Sequence, residues 1–269
     1  MKKVLVLECG LKPGWTKRTA DMLAEELLKR GELEINRVNL RDEHVEACLG
    51  CALCLSRGEE YCKNHGDGAG RILEKMLWAD GIIIVTPNYS LQVPANLKNL
   101  FDRLAYVFHR PRLFGRAFMP VTVQGVYAGG KINKYMNEVM EFWGCHTQKG
   151  TVIQGALRPN DVIEQAMLDK NQDKIQKAAA LFVNELNDER PRMPSIFHTM
   201  IFRMTRAAME DSPHTTEADK KYYKEKGWLK SKYYYDVRLG PIHAIAGAFG
   251  ESVSRSGAKK AKTKLAVKS

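Results

Sequence analysis

Gly81-Ile82-Ile83-Ile84-Val85, running straight into Thr86-Pro87-Asn88-Tyr89, is the stretch that decides the fold. An apolar run without polar alternation suits a strand covered on both faces, as in a parallel sheet. The proline then ends it. Upstream, Val4 to Leu7 is a second such run. Ala20, Leu23, Ala24, Leu27 and Leu28 recur at helical spacing behind it, and Leu33 to Leu40 reads as another strand. Ile72, Leu73, Met76, Leu77 and Ala79 form a helix face leading into the central run. Downstream, Ala95 to Phe108 is helical, Ala117 to Gln124 a strand, and Ile132 to Trp143 a helix. Thr147 to Gln154 reads as a fifth strand, and Asp161 to about Leu186 as a long fifth helix. Strands alternating with helices predict an α/β sandwich of three layers, a five-stranded parallel sheet between helices. Ligands of such sheets sit beyond the carboxyl ends of the strands, so the loops after the strands are the ones to read for chemistry.

The alternation occupies residues 1–190, and a different composition follows. Residues 191–269 hold 16 Lys/Arg against 7 Asp/Glu, net +9, whereas residues 1–190 hold 26 against 24, net +2. We therefore expect a main domain over 1–190 and a mainly helical, basic C-terminal extension over 191–269, with the last dozen residues a disordered tail. Within it, Ile196 to Met209 is apolar, Lys220 to Tyr235 interleaves Lys and Tyr, and Pro241 to Val253 is small and apolar. No nucleic-acid module is recognisable there. Net positive charge alone licenses weak non-specific binding, so no specific nucleic-acid partner is expected. The extension reads as a solvated or dimer-covering arm. No apolar run approaches the roughly 18 residues of a membrane helix, so no membrane span is expected. The apolar run at the N-terminus stops at Glu8, too soon for an export signal, which points to a cytoplasmic protein.

The loop after the first strand, Gly10-Leu-Lys-Pro-Gly14-Trp-Thr16-Lys17-Arg18-Thr19, ends on a helix. Backbone N–H groups at a helix start favour an anion, and Thr16, Lys17, Arg18 and Thr19 add hydroxyl and cationic donors suited to a phosphate monoester. Neither Gly-Lys-Ser/Thr nor Gly-x-Gly-x-x-Gly is present, which excludes the two common nucleotide loops. The loop after the third strand, Thr86-Pro87-Asn88-Tyr89-Ser90, offers amides and an aromatic wall to a flat heterocycle. His109, Arg110 and Arg112 read as a solvated basic loop. Cys48, Cys51, Cys54 and Cys62 lie close together at spacings x2, x2 and x7. Three readings fit them: ligands of a [4Fe–4S] cluster, a zinc site, or no metal. Cys9 and Cys145 read as small buried residues.

The Thr86-Pro-Asn-Tyr…Pro94-Ala-Asn-Leu-Lys98…Asp102-Arg103 run resembles the flavin-contacting loop of NAD(P)H-dependent FMN reductases and iron–sulfur flavoproteins. The cysteine loop and Ala79-Asp80 resemble the same group, over residues 1 to about 187. There are departures: Leu11 replaces the family's usual Ser in the first loop, and Gly66-Asp67-Gly68 stands where paired aspartates are common. The resemblance implies a flavodoxin-like fold with FMN at the strand ends, its phosphate near Thr16–Thr19. Its ring would lie against Pro87–Ser90, bordered by Gln124, Gly125 and Tyr127. It further implies hydride transfer from NAD(P)H and onward reduction of a flavin, quinone or similar acceptor, with no side chain serving as catalytic acid or base. An electron carrier using FMN and a cluster is the alternative. A homodimer or higher oligomer is expected, built partly by the extension.

Overall fold

The computed structural model describes residues 1–11, 14–156, 161–190, 192–213 and 216–266. They fall into two compact units, residues 1–50 with 64–189, and residues 51–63 with 190–269. The change of unit near residue 190 lies where the composition shifts, but residues 51–63, from within the cysteine loop, belong to the second unit.

The first unit begins with β1 (Lys2–Glu8), α1 (Trp15–Leu28) and β2 (Leu33–Asn39), followed by a 3-10 turn at Leu40–Glu43. The second unit interposes α2 (Leu53–Ser56) and a 3-10 turn at Glu59–Tyr61. The first unit resumes with α3 (Gly68–Trp78), β3 (Gly81–Pro87), α4 (Ala95–Arg103), α5 (Tyr106–His109), β4 (Ala117–Gln124) and α6 (Gly129–Phe142). It closes with β5 (His146–Thr147), β6 (Thr151–Gln154) and α7 (Gln165–Leu186). Among the described residues the strands form one sheet in the order β2-β1-β3-β4-β5, with β6 also paired to β4. Every pairing is parallel. This is the flavodoxin-like order, and its switch point lies between β1 and β3.

All seven residues of β3 are buried, as its apolar run requires. Val4, Val6, Ile83, Val85, Met119 and Val121 pack with Leu23 and Leu27 of α1 and Ile175, Ala179 and Phe182 of α7. Leu5, Leu7, Ile82, Ile84 and Phe118 are equally buried, on the face covered by α3 and α6. Each such side chain contributes roughly 1.5–3 kcal/mol on burial. The strand expected over Thr147–Gln154 is interrupted. β5 and β6 share one edge of β4, and the break falls beside Pro120, which has no N–H for the ladder. Gly150 (φ 70°) lies there so close that a Cβ would sit 2.0 Å from the Pro120 carbonyl oxygen.

The second unit contains α8 (Ile196–Asp211), α9 (Glu217–Glu225) and α10 (Pro241–Ala266). The small residues of Pro241–Val253 let α10 approach α8: a Cβ on Gly250 would lie 2.6 Å from the Met200 carbonyl oxygen. Glu251 of α10 bonds Arg203 Nε at 2.6 Å and also pairs with Arg206. An aromatic cluster forms the rest of this core, with Phe202–Tyr234 at 4.5 Å, Trp228–Tyr234 at 4.7 Å and Tyr223–Trp228 at 5.2 Å between ring centres. The expected disordered tail is corrected in part: α10 continues to Ala266, through Ala and Lys, both good helix formers.

Candidate functional site

The loops at the carboxyl ends of β1, β3, β4 and β6 are tied to one another. Cys9 N–H donates to the Val85 carbonyl at 2.9 Å, continuing the β1–β3 pairing past the strand end. The Asn96 side chain reaches the Cys9 carbonyl at 3.4 Å. Asn88 donates its backbone N–H to Val123 O at 2.8 Å and its side-chain Nδ2 to Tyr127 O at 2.7 Å, joining the β3 and β4 loops. Gln154 donates from its side chain to Gly125 O, and is itself held on both backbone groups by the buried Asn171 amide at 3.0 and 2.7 Å.

The quartet Thr16–Thr19 separates into two pairs. Thr16 and Thr19, three apart on α1, are both buried, and among the described residues the Thr19 hydroxyl has no hydrogen-bond partner. Gly14 caps α1 without any side-chain bond, so no side-chain cap occupies the N–H groups of its first turn. Lys17 points outward and pairs with Asp21 at 2.9 Å, while the Arg18 guanidinium rests 4.7 Å over the Trp15 ring. The cradle that the sequence suggested is thus made of hydroxyls and helix N–H groups, and both cations are engaged elsewhere. Arg41, which the sequence did not single out, donates to Leu11 O at 3.2 Å and so anchors this loop from the turn after β2.

In the β3 loop, Thr86 is fully buried and bonds Pro87 O at 3.3 Å. Among the described residues, Asn88 Oδ1 is buried without a partner. Tyr89 and Gln92 exchange both backbone bonds at 3.0 Å. They close a two-residue turn in which Ser90 (φ 50°) and Leu91 (φ 65°) are both left-handed. Non-glycine residues held there carry backbone strain, and such strain collects at ligand sites. In the β4 loop, Gln124 spends its side chain locally: Oε1 accepts from Gly129 N–H at 2.7 Å, and Nε2 donates to Val126 O at 3.2 Å. It shapes the loop with its side chain, and its backbone carbonyl accepts from Gly155 N–H at 2.8 Å. Leu11, Tyr89, Leu91, Val126 and Tyr127 are all exposed, so these three loops carry apolar side chains at their surface.

On the other side of β1, a cavity of about 430 Å³ is lined by Glu8, Lys17, Arg37, Asn39 and Arg41. Its charges largely neutralise one another, since Arg37 and Lys17 share Asp21 and Arg41 pairs with Asp42. Burial pushes the Glu8 carboxyl up in spite of these cations.

The family-like Asp102-Arg103 pair divides its work. Asp102 pairs with Lys98 at 2.5 Å on the surface. Arg103 is buried and makes a two-pronged bond to Asp67, Nε–Oδ2 3.1 Å and Nη2–Oδ1 3.0 Å. Asp67 also caps α3 through Ala69 N–H and accepts from Glu46 N–H, both at 3.0 Å. Burial pushes its carboxyl up, but the bonds from Arg103, Ala69 and Glu46 outweigh this and hold it below the usual range. Arg110, expected in solvent, is instead buried, its guanidinium 5.3 Å over the Tyr106 ring, and Arg112 stands over that ring at the same distance. Cation–π stacking and burial of its stem make this arginine part of the core.

Cys48 lies in the first unit, and Cys51, Cys54 and Cys62 in the second. Cys48 and Cys51 are exposed, and none of the six cysteines is in a disulfide. Among the described residues no three Cys, His, Asp or Glu side chains are grouped as a metal site.

The sequence pattern of the NADPH-dependent FMN reductases matches residues 2–156. A protein of Archaeoglobus fulgidus described as an iron-sulfur flavoprotein is 28% identical over 230 residues, 85% of this chain and all of that one. A quinone reductase of Escherichia coli K12 is 30% identical over 105 residues, 36% of this chain and 56% of that one. Among solved structures, RosB with bound 8-demethyl-8-formylriboflavin-5'-phosphate aligns with a TM-score of 0.56 at 14% identity, covering 90% of this chain and 92% of that one. An oxidoreductase from Corynebacterium diphtheriae aligns at 0.51 and 15% identity, covering 71% and 99%. At these identities the two structures bear on fold alone.

Proposed function

This chain belongs to the family of NADPH-dependent FMN reductases, and from that premise we propose that it binds FMN across the carboxyl ends of β1, β3 and β4. In this reading it takes hydride from NAD(P)H and passes electrons to a flavin, quinone or similar acceptor. The observation that carries the reading is a pair of polar atoms without partners among the described residues, Thr19 Oγ1 on α1 and Asn88 Oδ1 on the β3 loop, which flank the switch point. Buried polar atoms normally have partners, and a phosphate and a ring amide are the partners these two lack.

FMN supplies the hydride chemistry; the chain supplies position. Thr16, Thr19 and the α1 N-terminus hold the phosphate, and Lys17 and Arg18, held by Asp21 and Trp15, border it. Thr86, Pro87, Asn88, Tyr89 and Ser90 line one edge of the ring, and Gln124, Gly125 and Tyr127 the other. The exposed Leu91 and Val126 give the nicotinamide or acceptor an apolar surface. No side chain is assigned as acid or base. We assign this chemistry to a domain over 1–190 and treat 191–269 as an arm that helps build a homodimer or higher oligomer. Among the described residues no helix is long and apolar enough to cross a membrane, and we place the protein in the cytoplasm.

Titration of apo-protein with FMN, followed by quenching of flavin fluorescence, tests the reading. Thr19→Val keeps the shape and removes the hydroxyl. A hydrogen bond to a charged group is worth about 1.5–3 kcal/mol, so affinity should fall about tenfold or more. The apo-protein should become no less stable, because its buried hydroxyl lacks a partner. Unchanged affinity counts against the phosphate site.

A second reading, an electron carrier with a [4Fe–4S] cluster on Cys48, Cys51, Cys54 and Cys62, is favoured by the thiol spacing and by the description of the Archaeoglobus relative. Iron and acid-labile sulfide in anaerobically purified protein distinguish it.

A further inference from the structure

The flavin reading leaves the aromatic and lysine-rich segment of the second unit without a role. Here a cavity of about 990 Å³ is lined chiefly by residues 226–238. We propose that this cavity is a binding site for a small planar aromatic anion, a fused-ring compound carrying a sulfonate, carboxylate or phosphate.

Charge is the first argument. Lys226, Lys230, Lys232 and Arg238 line the cavity against a single carboxylate, Asp236. All four cations are exposed. Among the described residues none of the four has a carboxylate within ion-pairing distance, whereas Lys17, Lys98 and Lys177 are each paired four residues along their helices. Unneutralised cations gathered on a concave wall attract an anion and weaken as salt rises.

The second argument is the wall itself. Trp228, Tyr233, Tyr234 and Tyr235 also line the cavity, and they pack edge-to-face at 4.7–5.2 Å between neighbouring ring centres. Most of their polar ends are engaged. Trp228 Nε1 donates to Tyr234 O at 2.9 Å, Tyr235 donates to Arg192 O at 3.0 Å, and the Tyr223 and Tyr234 hydroxyls meet at 3.3 Å. Tyr233 is the exception. It is only 7% exposed, it touches Phe202, Tyr234 and Tyr235 through its ring, and among the described residues its hydroxyl bonds nothing. Burial pushes this phenol far up, so it stays a donor at any physiological pH. A hydroxyl at the cavity wall with no protein partner is open to an acceptor brought by a ligand.

Size and shape select the ligand class. Small-molecule sites span about 300–1,000 Å³, mostly apolar with a few placed polar groups. A fused ring matches the Trp and Tyr wall, and its acidic group matches the rim. The cations lie round one hollow rather than along a stripe, which argues for a small ligand over a nucleic-acid strand.

The test uses the full chain loaded with FMN, so that the flavin loops are occupied, and naphthalene-2-sulfonate as probe, a fused-ring anion with no quinone for a flavin to reduce, measured by equilibrium dialysis. One site should appear. Bound probe should protect Lys230 and Lys232, but not Lys221, from acetylation read by mass spectrometry. Lys230→Glu with Lys232→Glu should weaken binding at least about tenfold, the worth of a charge-assisted contact. Tyr233→Phe should weaken it several-fold with an unchanged melting temperature. A neutral hydroxymethyl analogue should bind more weakly than the sulfonate. Equal affinity of that analogue, undiminished affinity in either variant, or protection centred on other lysines would overturn the proposal. So would a short single-stranded oligonucleotide that displaces the probe and binds more tightly than it. None of these outcomes depends on NAD(P)H oxidation, so failure here and failure of the flavin reading are separable.

Discussion

Replacing Asp67 by Asn removes one charge from the first unit and almost nothing else. Both partners of the Asp67–Arg103 pair are nearly buried, with side chains 8% and 6% exposed. Asn caps a helix about as well as Asp, so the start of α3 survives. What is lost is the charge, and with Oδ1 kept as the cap, Oδ2 becomes an NH2 group facing two donors, Arg103 Nε and Glu46 N–H. Breaking a buried pair from one side costs about 3–5 kcal/mol. The lower end applies, because Arg103 keeps its bond to Asn64 O at 2.8 Å. For a domain of this size each kcal/mol moves the melting temperature by about 2–4 °C, so Asp67→Asn should melt roughly 6–12 °C below wild type near neutral pH. The pH dependence has a definite sign. The folded-state carboxyl lies below its usual value. Its stabilisation is therefore complete above the unfolded pKa of about 3.9 and is lost as pH falls through the folded value. The two melting curves should converge below about pH 4. Circular dichroism melts from neutral to acid pH measure this. A gap under about 1 °C at neutral pH, set against that slope, or one constant across the range, refutes the reasoning.

Tyr89→Ala alters an exposed side chain, so stability should move by less than about 0.5 kcal/mol, while the visible spectrum of bound FMN shifts; an unchanged spectrum removes Tyr89 from the ring site. Glu251→Gln removes the charge that Arg203 and Arg206 share through Oε1, at a cost of about 1.5–3 kcal/mol, and limited proteolysis should then cut residues 241–266 faster. The Arg203 bond holds the Glu251 carboxyl below its usual value against the opposing effect of burial, so this difference should fade as pH falls through that range. In the cluster reading, Cys54→Ser loses iron and sulfide while retaining FMN; without a cluster, it costs about 1 kcal/mol of packing. Stoichiometric iron that survives the substitution defeats the ligand assignment.

The layered α/β fold was legible because β3 writes its burial on both faces into five consecutive apolar residues, and because α1 and α6 space theirs at helical intervals. The loops at the sheet's carboxyl end were legible for the same reason: each begins where such a run stops. Partnerships across the chain were not. Asp67 and Arg103 lie 36 residues apart, and nothing in either neighbourhood names the other. Leu11 and Arg41 meet only because β2 lies beside β1. Arg110 looked solvated because charge suggests water, yet its stem and the Tyr106 ring bury it. The sequence marks Pro120 as a β4 residue, but its effect falls on the neighbouring edge, where it splits β5 from β6. Lys17 and Arg18 illustrate the same limit within one loop, since their types suit a phosphate but Asp21 and Trp15 already engage them.

The central claim is that this chain carries an FMN that NAD(P)H can reduce. Anaerobic titration of FMN-loaded, gel-filtered protein with NADPH, followed by the absorbance of oxidised flavin, tests it most directly. The account predicts about one flavin per chain, bleached by an equivalent amount of NADPH and restored on adding a quinone, as for a hydride-accepting cofactor held by its protein. Protein that retains no flavin after loading, or a flavin that both NADPH and NADH leave oxidised, would contradict it.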